Sequence, residues 1–172
     1  SGPNAGGKTA ALKLLGLFAL MQQCAIPLPA EASTRLPLFI RLHTDIGEDQ
    51  SLLTSLSTFS ARMTHLAHTL ADLPEPSLAL LDELGTGTDP DEGTALAKAA
   101  LLALLEQGAW VAATTHFDEL KAFSLTTPGL RCAAALFDEA TLQPLYRLDF
   151  DHPGRSYGLA VAARSGVPAG VI

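Results

Sequence analysis

Two stretches in the first half of the chain carry apolar residues at the three- and four-residue spacing of an amphipathic helix. The first covers residues 8–21 and follows a glycine-rich loop at 2–7. The second begins near Ser57 and Thr58, whose hydroxyls suit a helix N-cap, and ends before Pro74. Both segments are therefore predicted to be helices that bury one apolar face.

Short continuous apolar runs between turn signals indicate strands. The runs at 78–81 and 110–114 are almost wholly apolar, which is typical of strands covered on both faces of a parallel sheet. Weaker strand signals lie at 37–42, 130–137 and 144–149. The chain is therefore predicted to contain buried strands near its middle and further strands on either side.

Two further helices are predicted between and after these strands. Residues 92–107 are rich in Ala and Leu, and Gly108 supplies the stop. Residues 156–164 form the last predicted helix, which Gly166 and Pro168 end. Strands and helices thus alternate along most of the chain. This order predicts an α/β fold with a mainly parallel sheet flanked by helices.

The composition is that of a folded globular domain. Of the 172 residues, 48% are hydrophobic and 17% are charged, which excludes a disordered chain. The longest apolar runs, such as 101–105, are far shorter than the roughly 18 residues of a membrane span, so no membrane partner is expected. The 11 Lys and Arg against 18 Asp and Glu give a formal net charge of -7, which disfavours this segment as the main surface for nucleic acid.

The two cysteines, Cys24 and Cys132, lie in apolar or small-residue surroundings, with no His or Cys at metal-ligand spacing. We predict buried thiols in a reducing compartment, with a disulfide as the less favoured alternative. The chain opens with Ser1-Gly2-Pro3-Asn4 rather than with a basic and then apolar leader. We therefore expect a cytoplasmic protein.

The glycine-rich loop and the residues after it match the phosphate-binding pattern G-x-x-x-x-G-K-S/T. Its backbone N–H groups would surround a phosphate, since glycines permit close approach and the following helix directs its positive end at the anion. Lys8 would neutralise β- and γ-phosphate charge, and the Thr9 hydroxyl would coordinate Mg²⁺. The alternative is a flexible glycine-rich segment that merely begins a helix. The matching residues are Gly2, Pro3, Asn4, Ala5, Gly6, Gly7, Lys8 and Thr9.

Two acids close the apolar run at 78–81. A carboxylate at the carboxyl end of a parallel strand can hold Mg²⁺ through water, and we assign this role to Asp82. Glu83 is placed to polarise the attacking water, and His116, after the next strand, to hydrogen-bond a γ-phosphate oxygen. Without the phosphate loop upstream, the acids would indicate only a solvated loop and the histidine a packing residue.

The order of these motifs resembles the ATPase domain of the MutS family, a branch of the ABC-type ATPases. The resemblance implies that ATP is the nucleotide and that the fold is an ABC-ATPase-like P-loop NTPase. Residues 87–93, the Lys8-Thr9 pair without an inserted Ser, and residues 153–158 resemble the second bacterial branch of the family. That branch is linked to suppression of recombination and to rescue of collided ribosomes. The stretches that carry the resemblance to the family are 2–9, 57–63, 80–90 and 113–116.

The resemblance implies roles that the residues alone do not reveal. Ser57, Thr58, Phe59 and Ser60 would be the signature segment that reaches across a homodimer interface to the γ-phosphate of the partner's ATP. Gln50 would sense Mg²⁺ and the attacking water, and the loop 85–91 would touch the opposite subunit. From the residues alone, an ordinary helix N-cap remains the alternative for the signature segment.

The resemblance also implies what lies outside the chain. We expect residues 1–172 to be a single partial ATPase domain, truncated at both ends and without the N-terminal strand that leads into the phosphate loop. DNA-binding, ribosome-binding or endonuclease domains would lie beyond it, and ATP hydrolysis would switch their conformation. The alternatives are the ATPase domain of a true mismatch-repair MutS protein and an ATP-dependent dimerisation switch with little turnover.

Overall fold

The computed structural model describes residues 7–47, 55–138, 141, 143–152, 154, 166–168 and 170, with side chains omitted at 55–58. The chain folds as two compact units. The first is Thr9–Thr114, and the second combines Ser1–Lys8 with Thr115–Ile172. The first unit contains a three-stranded sheet and the second a two-stranded one.

Helices and strands alternate through the first unit, as the sequence predicts. The elements in chain order are α1 (Lys8–Gln23), β1 (Arg41–Asp45), α2 (Ser55–Ala71), β2 (Ser77–Leu81), α3 (Pro90–Glu106), β3 (Trp110–Ala113), α4 (Asp118–Thr126), β4 (Ala133–Phe137) and β5 (Pro144–Phe150).

The sheet of the first unit is parallel and has the order β1-β2-β3. Arg41 is level with Ser77 across the first pair, and Leu78 is level with Trp110 across the second. Every residue of the central strand β2 is buried, which explains its continuous apolar run. The prediction of a parallel sheet flanked by helices is confirmed for this unit.

The hydrophobic core lies between α1 and the central strand. Leu12 and Ala19 of α1 pack with Phe39, Leu78 and Leu80. Gly16 permits the close approach, because a Cβ built there would lie 2.8 Å from Cδ1 of Leu80. The predicted first helix is therefore confirmed, and its buried face sits on β2.

The first strand lies later in the chain than predicted. The apolar run at 37–42 was expected to pair, but β1 covers Arg41–Asp45 and includes the polar residues at its carboxyl end. Phe39 is 3% exposed and belongs to the core without being in a strand. Of the other apolar residues in this run, Leu38 and Ile40 are more than 60% exposed, so the apolar pattern there indicates neither uniform burial nor pairing; pairing is decided by the register with β2.

Helix α3 begins earlier than the predicted residue 92 because two residues before it form a strong start. Asp89 is the N-cap, and its Oδ1 accepts hydrogen bonds from the N–H groups of Asp91 at 3.0 Å and Glu92 at 3.4 Å. Pro90 takes the first helical position, where its missing N–H costs nothing. Helix α2 likewise begins before its predicted start, at Ser55, so the prediction of an N-cap at Ser57 or Thr58 is wrong and both residues lie inside the first turn.

In the second unit, β4 and β5 pair antiparallel, with Ala133 level with Phe150. Both strands were predicted, although β4 begins later than residue 130. Helix α4 was not predicted, because it is short and its N-cap residue Phe117 makes no side-chain capping bond. The helix predicted at 156–164 lies outside the described residues.

The prediction of two buried thiols is half wrong. Cys132 is buried and Cys24 is exposed, and the two cysteines form no disulfide bond. Cys24 directly follows the last turn of α1, where the chain leaves the core. In the part of the chain that the structure covers, no helix combines the length and the apolar character that crossing a membrane requires.

Candidate active site

Two adjacent strands of the parallel sheet bring the predicted acids and a threonine to the same edge. Asp82 and Glu83 follow β2, and Thr114 follows β3. The Asp82 N–H donates to the carbonyl of Asp45 at 2.8 Å, which continues the pairing of β1 and β2 past the last residue of β2. Asp82 is only 8% exposed. The carboxyl edge of the sheet thus presents a nearly buried carboxylate.

Both oxygens of the Asp82 carboxylate accept a hydrogen bond from a threonine hydroxyl. Thr9 donates to Oδ2 at 2.8 Å, and Thr114 donates to Oδ1 at 2.5 Å. Thr9 stands in the first turn of α1, directly after the glycine-rich loop. The fold therefore brings a residue of the phosphate-binding pattern onto the predicted metal-binding acid, across 73 positions of sequence.

Glu83 has an unusual backbone conformation for a residue with a side chain. Its φ is 51°, in the left-handed region, which costs a non-glycine residue about 1–3 kcal/mol unless its surroundings hold it there. The N–H of Glu83 donates to the Thr114 hydroxyl at 2.8 Å. Its carbonyl accepts from the Thr86 hydroxyl at 2.9 Å. Two threonine hydroxyls thus hold both backbone polar groups of Glu83.

Arg62 of α2 extends this arrangement. Its Nη1 donates to the Thr86 hydroxyl at 2.8 Å, and its Nη2 donates to the carbonyl of Gly47 at 3.4 Å. A cleft between α2 and the carboxyl edge of the sheet is lined in part by these groups. Among its walls are Thr44, Asp45, Arg62, Leu66, Glu83 and Thr86.

The loop after β2 is packed closely onto two helices. A Cβ built on Gly93 of α3 would lie 2.0 Å from the carbonyl oxygen of Gly85, so these two backbones touch. A Cβ built on Gly87 would lie 3.5 Å from the Cβ of Phe59, in the first turns of α2. The loop that carries Glu83 at its start is therefore fixed against α2 and α3.

The signature segment is only partly described. Phe59 is half-buried and Ser60 is exposed, and the Ser60 carbonyl accepts from the Thr64 hydroxyl at 2.9 Å. The side chains of Ser57 and Thr58 lie outside the described set. Gln50 and the loop residues 2–6 lie outside it as well, so their roles stay predictions.

Lys8 and His116 belong to the second unit. Lys8 is the first residue of α1 and is 6% exposed. His116 precedes α4, and its ring lies 4.6 Å from that of Phe117, centroid to centroid. The N–H of Phe117 donates to the Thr115 hydroxyl at 3.1 Å, which shapes the turn. Their phosphate-binding roles stay predictions.

Tyr146 of β5 lies against the end of the glycine-rich loop, a contact that the sequence did not predict. A Cβ built on Gly7 would lie 3.1 Å from Cδ1 of Tyr146, so the ring lies against the last glycine of the loop. The side chain is nevertheless exposed, with 76% of the residue's surface accessible, and its φ is 50°. No local pattern signals this contact, because it joins residues at opposite ends of the chain.

The arrangement defines an α/β domain with a candidate active site at the carboxyl edge of a parallel sheet, where such folds bind their ligands. The whole chain, residues 1–172, matches the family described as MutS domain V. The chain therefore belongs to this family, and the membership indicates the ATPase domain of a MutS-family protein.

Proteins with the name Endonuclease MutS2 are similar to the chain over all of its 172 residues. One from Thermomicrobium roseum is 51% identical, and one from Solidesulfovibrio magneticus is 47% identical. One from Aquifex aeolicus is 46% identical. The chain spans 22% of the length of the first two and 23% of the third. These similarities support the second bacterial branch of the family.

Proposed function

We propose that the chain is a P-loop ATPase domain that hydrolyses ATP to ADP and phosphate with Mg²⁺. One observation carries this proposal: Thr9, the last residue of the phosphate-binding pattern, donates to the Asp82 carboxylate at 2.8 Å, directly beside Glu83. A loop threonine, a nearly buried carboxylate and a second acid are the parts that this reaction requires. Membership of the MutS domain V family supports the same conclusion.

The chemistry of the donor set fits Mg²⁺. Because Thr9 gives its proton to Oδ2 of Asp82, its oxygen lone pairs remain available for a cation. Mg²⁺ prefers oxygen ligands and takes one or two protein groups together with phosphate oxygens and water. Thr9 would therefore bind Mg²⁺ directly and Asp82 through water. The bound ion would neutralise charge on the β- and γ-phosphates.

Glu83 is the proposed catalytic base. Its carboxylate would take a proton from a water molecule while the water oxygen attacks the γ-phosphorus. The bond from the γ-phosphorus to the oxygen that bridges to the β-phosphate breaks, and ADP and inorganic phosphate leave. Lys8 and His116 would stabilise the phosphate oxygens, and Gln50 would contact the attacking water. The packed loop at 83–87 favours this role, because it holds the base in one place.

The direct test compares Glu83→Gln with a matched substitution at Glu106, an exposed residue at the end of α3. In the full-length protein, Glu83→Gln should bind ATP normally and release phosphate at least roughly 100-fold more slowly, as expected for a lost base. Glu106→Gln should match the wild type. Near-normal phosphate release by Glu83→Gln would contradict the proposal.

Lys8→Ala tests nucleotide binding separately. A charge-assisted contact to phosphate contributes roughly 1.5–3 kcal/mol, so affinity for a fluorescent ATP analogue should fall about 10- to 100-fold. Unchanged affinity would contradict the phosphate-loop assignment. A wild type that binds ATP and dimerises but releases almost no phosphate would favour the nucleotide-dependent switch.

We propose that the domain acts as a homodimer in which residues 57–60 serve the partner's nucleotide. A helix N-terminus offers free N–H donors to an anion that lies ahead of it, and α2 begins at Ser55. A mixed dimer of Lys8→Ala with Ser57→Arg would then keep one intact site, whereas each homodimer would have none. Equal inactivity of all three would contradict the assignment. A mixed dimer of Lys8→Ala with the wild type controls for strict cooperativity between the sites.

The proposed role in the whole protein is to switch attached DNA- or ribosome-binding domains. The relatives are named endonucleases, and more than three quarters of their length lies outside this match. We expect any nuclease activity of the whole protein to reside in a domain outside this chain. A mismatch-reading domain upstream in the full-length protein would instead favour a mismatch-repair MutS protein.

A further inference from the structure

The Thr114 hydroxyl touches both acids of the candidate site, and nothing above assigns it a function. We propose that Thr114 is a positioning residue for ATP hydrolysis, whose hydroxyl holds the Asp82 carboxylate and the Glu83 backbone in one fixed relation. This inference rests on the proposed function. It concerns a residue that would touch neither nucleotide nor water, and that would act through the acids.

The backbone of Thr114 is tied to the end of the central strand. Its N–H donates to the Leu81 carbonyl at 2.9 Å, and its carbonyl accepts from the N–H of Leu84 at 3.0 Å. The residue is 5% exposed, so water has little access to it. The backbone of Thr114 therefore bonds to the residue before the two acids, Leu81, and to the residue after them, Leu84.

The Thr114 hydroxyl makes two hydrogen bonds and is the donor in one and the acceptor in the other. Its single proton goes to Oδ1 of Asp82 at 2.5 Å, and its oxygen accepts the N–H of Glu83 at 2.8 Å. A hydroxyl has one donor and two acceptor lone pairs, so these two bonds together fix its direction. A methyl group in the same place can make neither bond.

Glu83 needs a hydrogen-bond acceptor for its N–H because its backbone conformation is an uncommon one. A left-handed φ of 51° is rarely adopted by residues with a side chain. Without the Thr114 hydroxyl, the Glu83 N–H would be left without its partner at the edge of the sheet. The backbone could then relax toward a commoner conformation and carry the carboxylate away from the attacking water.

The expected consequence is a loss of turnover with little loss of binding. Thr114 has no place in the phosphate-binding pattern, so contacts to the nucleotide should survive its replacement. Misplacing a catalytic group by about 1 Å can lower the rate roughly 100-fold. A positioning role therefore predicts an effect on kcat rather than on KM.

The test uses the full-length protein with Thr114→Val, which keeps the shape and removes the hydroxyl, and Thr114→Ser, which restores it. Thr114→Val should lower kcat by about 10- to 100-fold and leave ATP affinity within about 3-fold. Thr114→Ser should return kcat to within about 3-fold of the wild type. The control is Ser77→Ala, which removes another buried hydroxyl, one that donates to the Pro74 carbonyl at the amino end of β2. It should leave kcat unchanged.

Three results would overturn the inference: wild-type kcat in Thr114→Val, equal losses in the Val and Ser variants, or an equal loss in Ser77→Ala. If Thr114→Val does not fold, Thr114→Ala replaces it under the same criteria. The proposed function is judged separately. The proposed function fails if the wild type does not hydrolyse ATP or if Glu83→Gln is fully active. The inference about Thr114 is tested only if the wild type hydrolyses ATP and this activity depends on Glu83.

Discussion

Charged side chains differ in burial and in bonding partners between the carboxyl edge of the parallel sheet and the neighbourhood of the antiparallel pair β4-β5. At the sheet edge, Asp82 is 8% exposed, and uncharged hydroxyls hold both of its oxygens. Beside the antiparallel pair, just before β4 and just after β5, the side chains of Arg131 and Asp151 are 66% and 58% exposed and form an ion pair. The difference matters because an unmet buried acceptor is costly, whereas an exposed ion pair is screened by water.

The exposed pair has good geometry and still carries little energy. Nε of Arg131 donates to Oδ1 of Asp151 at 3.0 Å, and the guanidinium lies 5.1 Å from the ring centre of Phe150. The hydrogen bond from Arg131 lowers the pKa of the Asp151 carboxyl below its ordinary value. In water, however, both charges are also well solvated when apart. Bond geometry alone therefore does not identify the bonds on which activity and stability depend.

The largest effect is expected from removing the buried carboxylate. Asp82→Ala deletes the proposed Mg²⁺ contact and leaves two hydroxyl donors, of Thr9 and Thr114, without acceptors. Phosphate release should fall at least roughly 100-fold, and the free energy of unfolding should fall by about 2 kcal/mol or more. Asp151→Asn, which keeps a residue type that tolerates the left-handed φ of 68°, is the matched control and should change neither quantity measurably. Equal effects of the two substitutions would remove the distinction between the two regions.

The next largest effect is expected where the site loop meets α3. Gly93→Ala would set a Cβ 2.0 Å from the Gly85 carbonyl oxygen, and only movement of backbone could relieve that overlap. We expect the free energy of unfolding to fall by roughly 1–3 kcal/mol. Urea unfolding followed by circular dichroism measures it. Gly170→Ala, which meets nothing within 4 Å, should stay within about 0.5 kcal/mol of the wild type.

A smaller effect is expected from the link between α2 and the Glu83 loop. Arg62→Met keeps most of the side-chain length and removes the bond to the Thr86 hydroxyl, which in turn holds the Glu83 carbonyl. A hydrogen bond contributes about 1 kcal/mol, so kcat should fall about 3- to 10-fold. Arg62→Lys should fall between Met and the wild type. Wild-type kcat in Arg62→Met would show that α2 does not restrain the base.

The smallest effect is expected from the exposed ion pair and depends on pH. Because the pKa of Asp151 is lowered in the folded protein, the pair stabilises the fold above the ordinary value of 3.8. That contribution is lost as pH falls through the lower, folded value. Asp151→Asn, which removes the charge and keeps the contact of Arg131 with Phe150, should therefore match the wild type in urea midpoint below that value and differ at most slightly at pH 7. A large difference in urea midpoint at pH 7 would show that this exposed pair stabilises the fold as strongly as the buried bonds of Asp82.

Local patterns were sufficient for most of the first unit. The apolar run of β2, the acids after it and the phosphate-binding pattern lie within short stretches, so they could be predicted before their contacts were known. The meeting of Thr9 with Asp82 followed from the rule that such folds gather their site at the carboxyl edge. Strand β1 was displaced because an apolar run does not set the pairing register, and in this run only Phe39 is buried.

The remaining features depend on long-range packing. Which residue after β3 reaches Asp82 depends on the register of β2 and β3, and no pattern in the Thr114-Thr115-His116 run selects the first threonine. The left-handed conformation of Glu83 has no sequence signal, because such positions are expected to be glycine. The contact of Tyr146 with Gly7 also joins distant parts of the chain.

Thr9 and Thr114 are the first and last residues of the first unit, and both donate to the same carboxylate. Here Asp82 closes the unit into a non-covalent ring. Amide exchange at the two ends should therefore slow and quicken together, and a nucleotide or cation that draws on Asp82 would alter both at once. Hydrogen exchange at Thr9 and Thr114 would report the state of the site without any measurement of turnover.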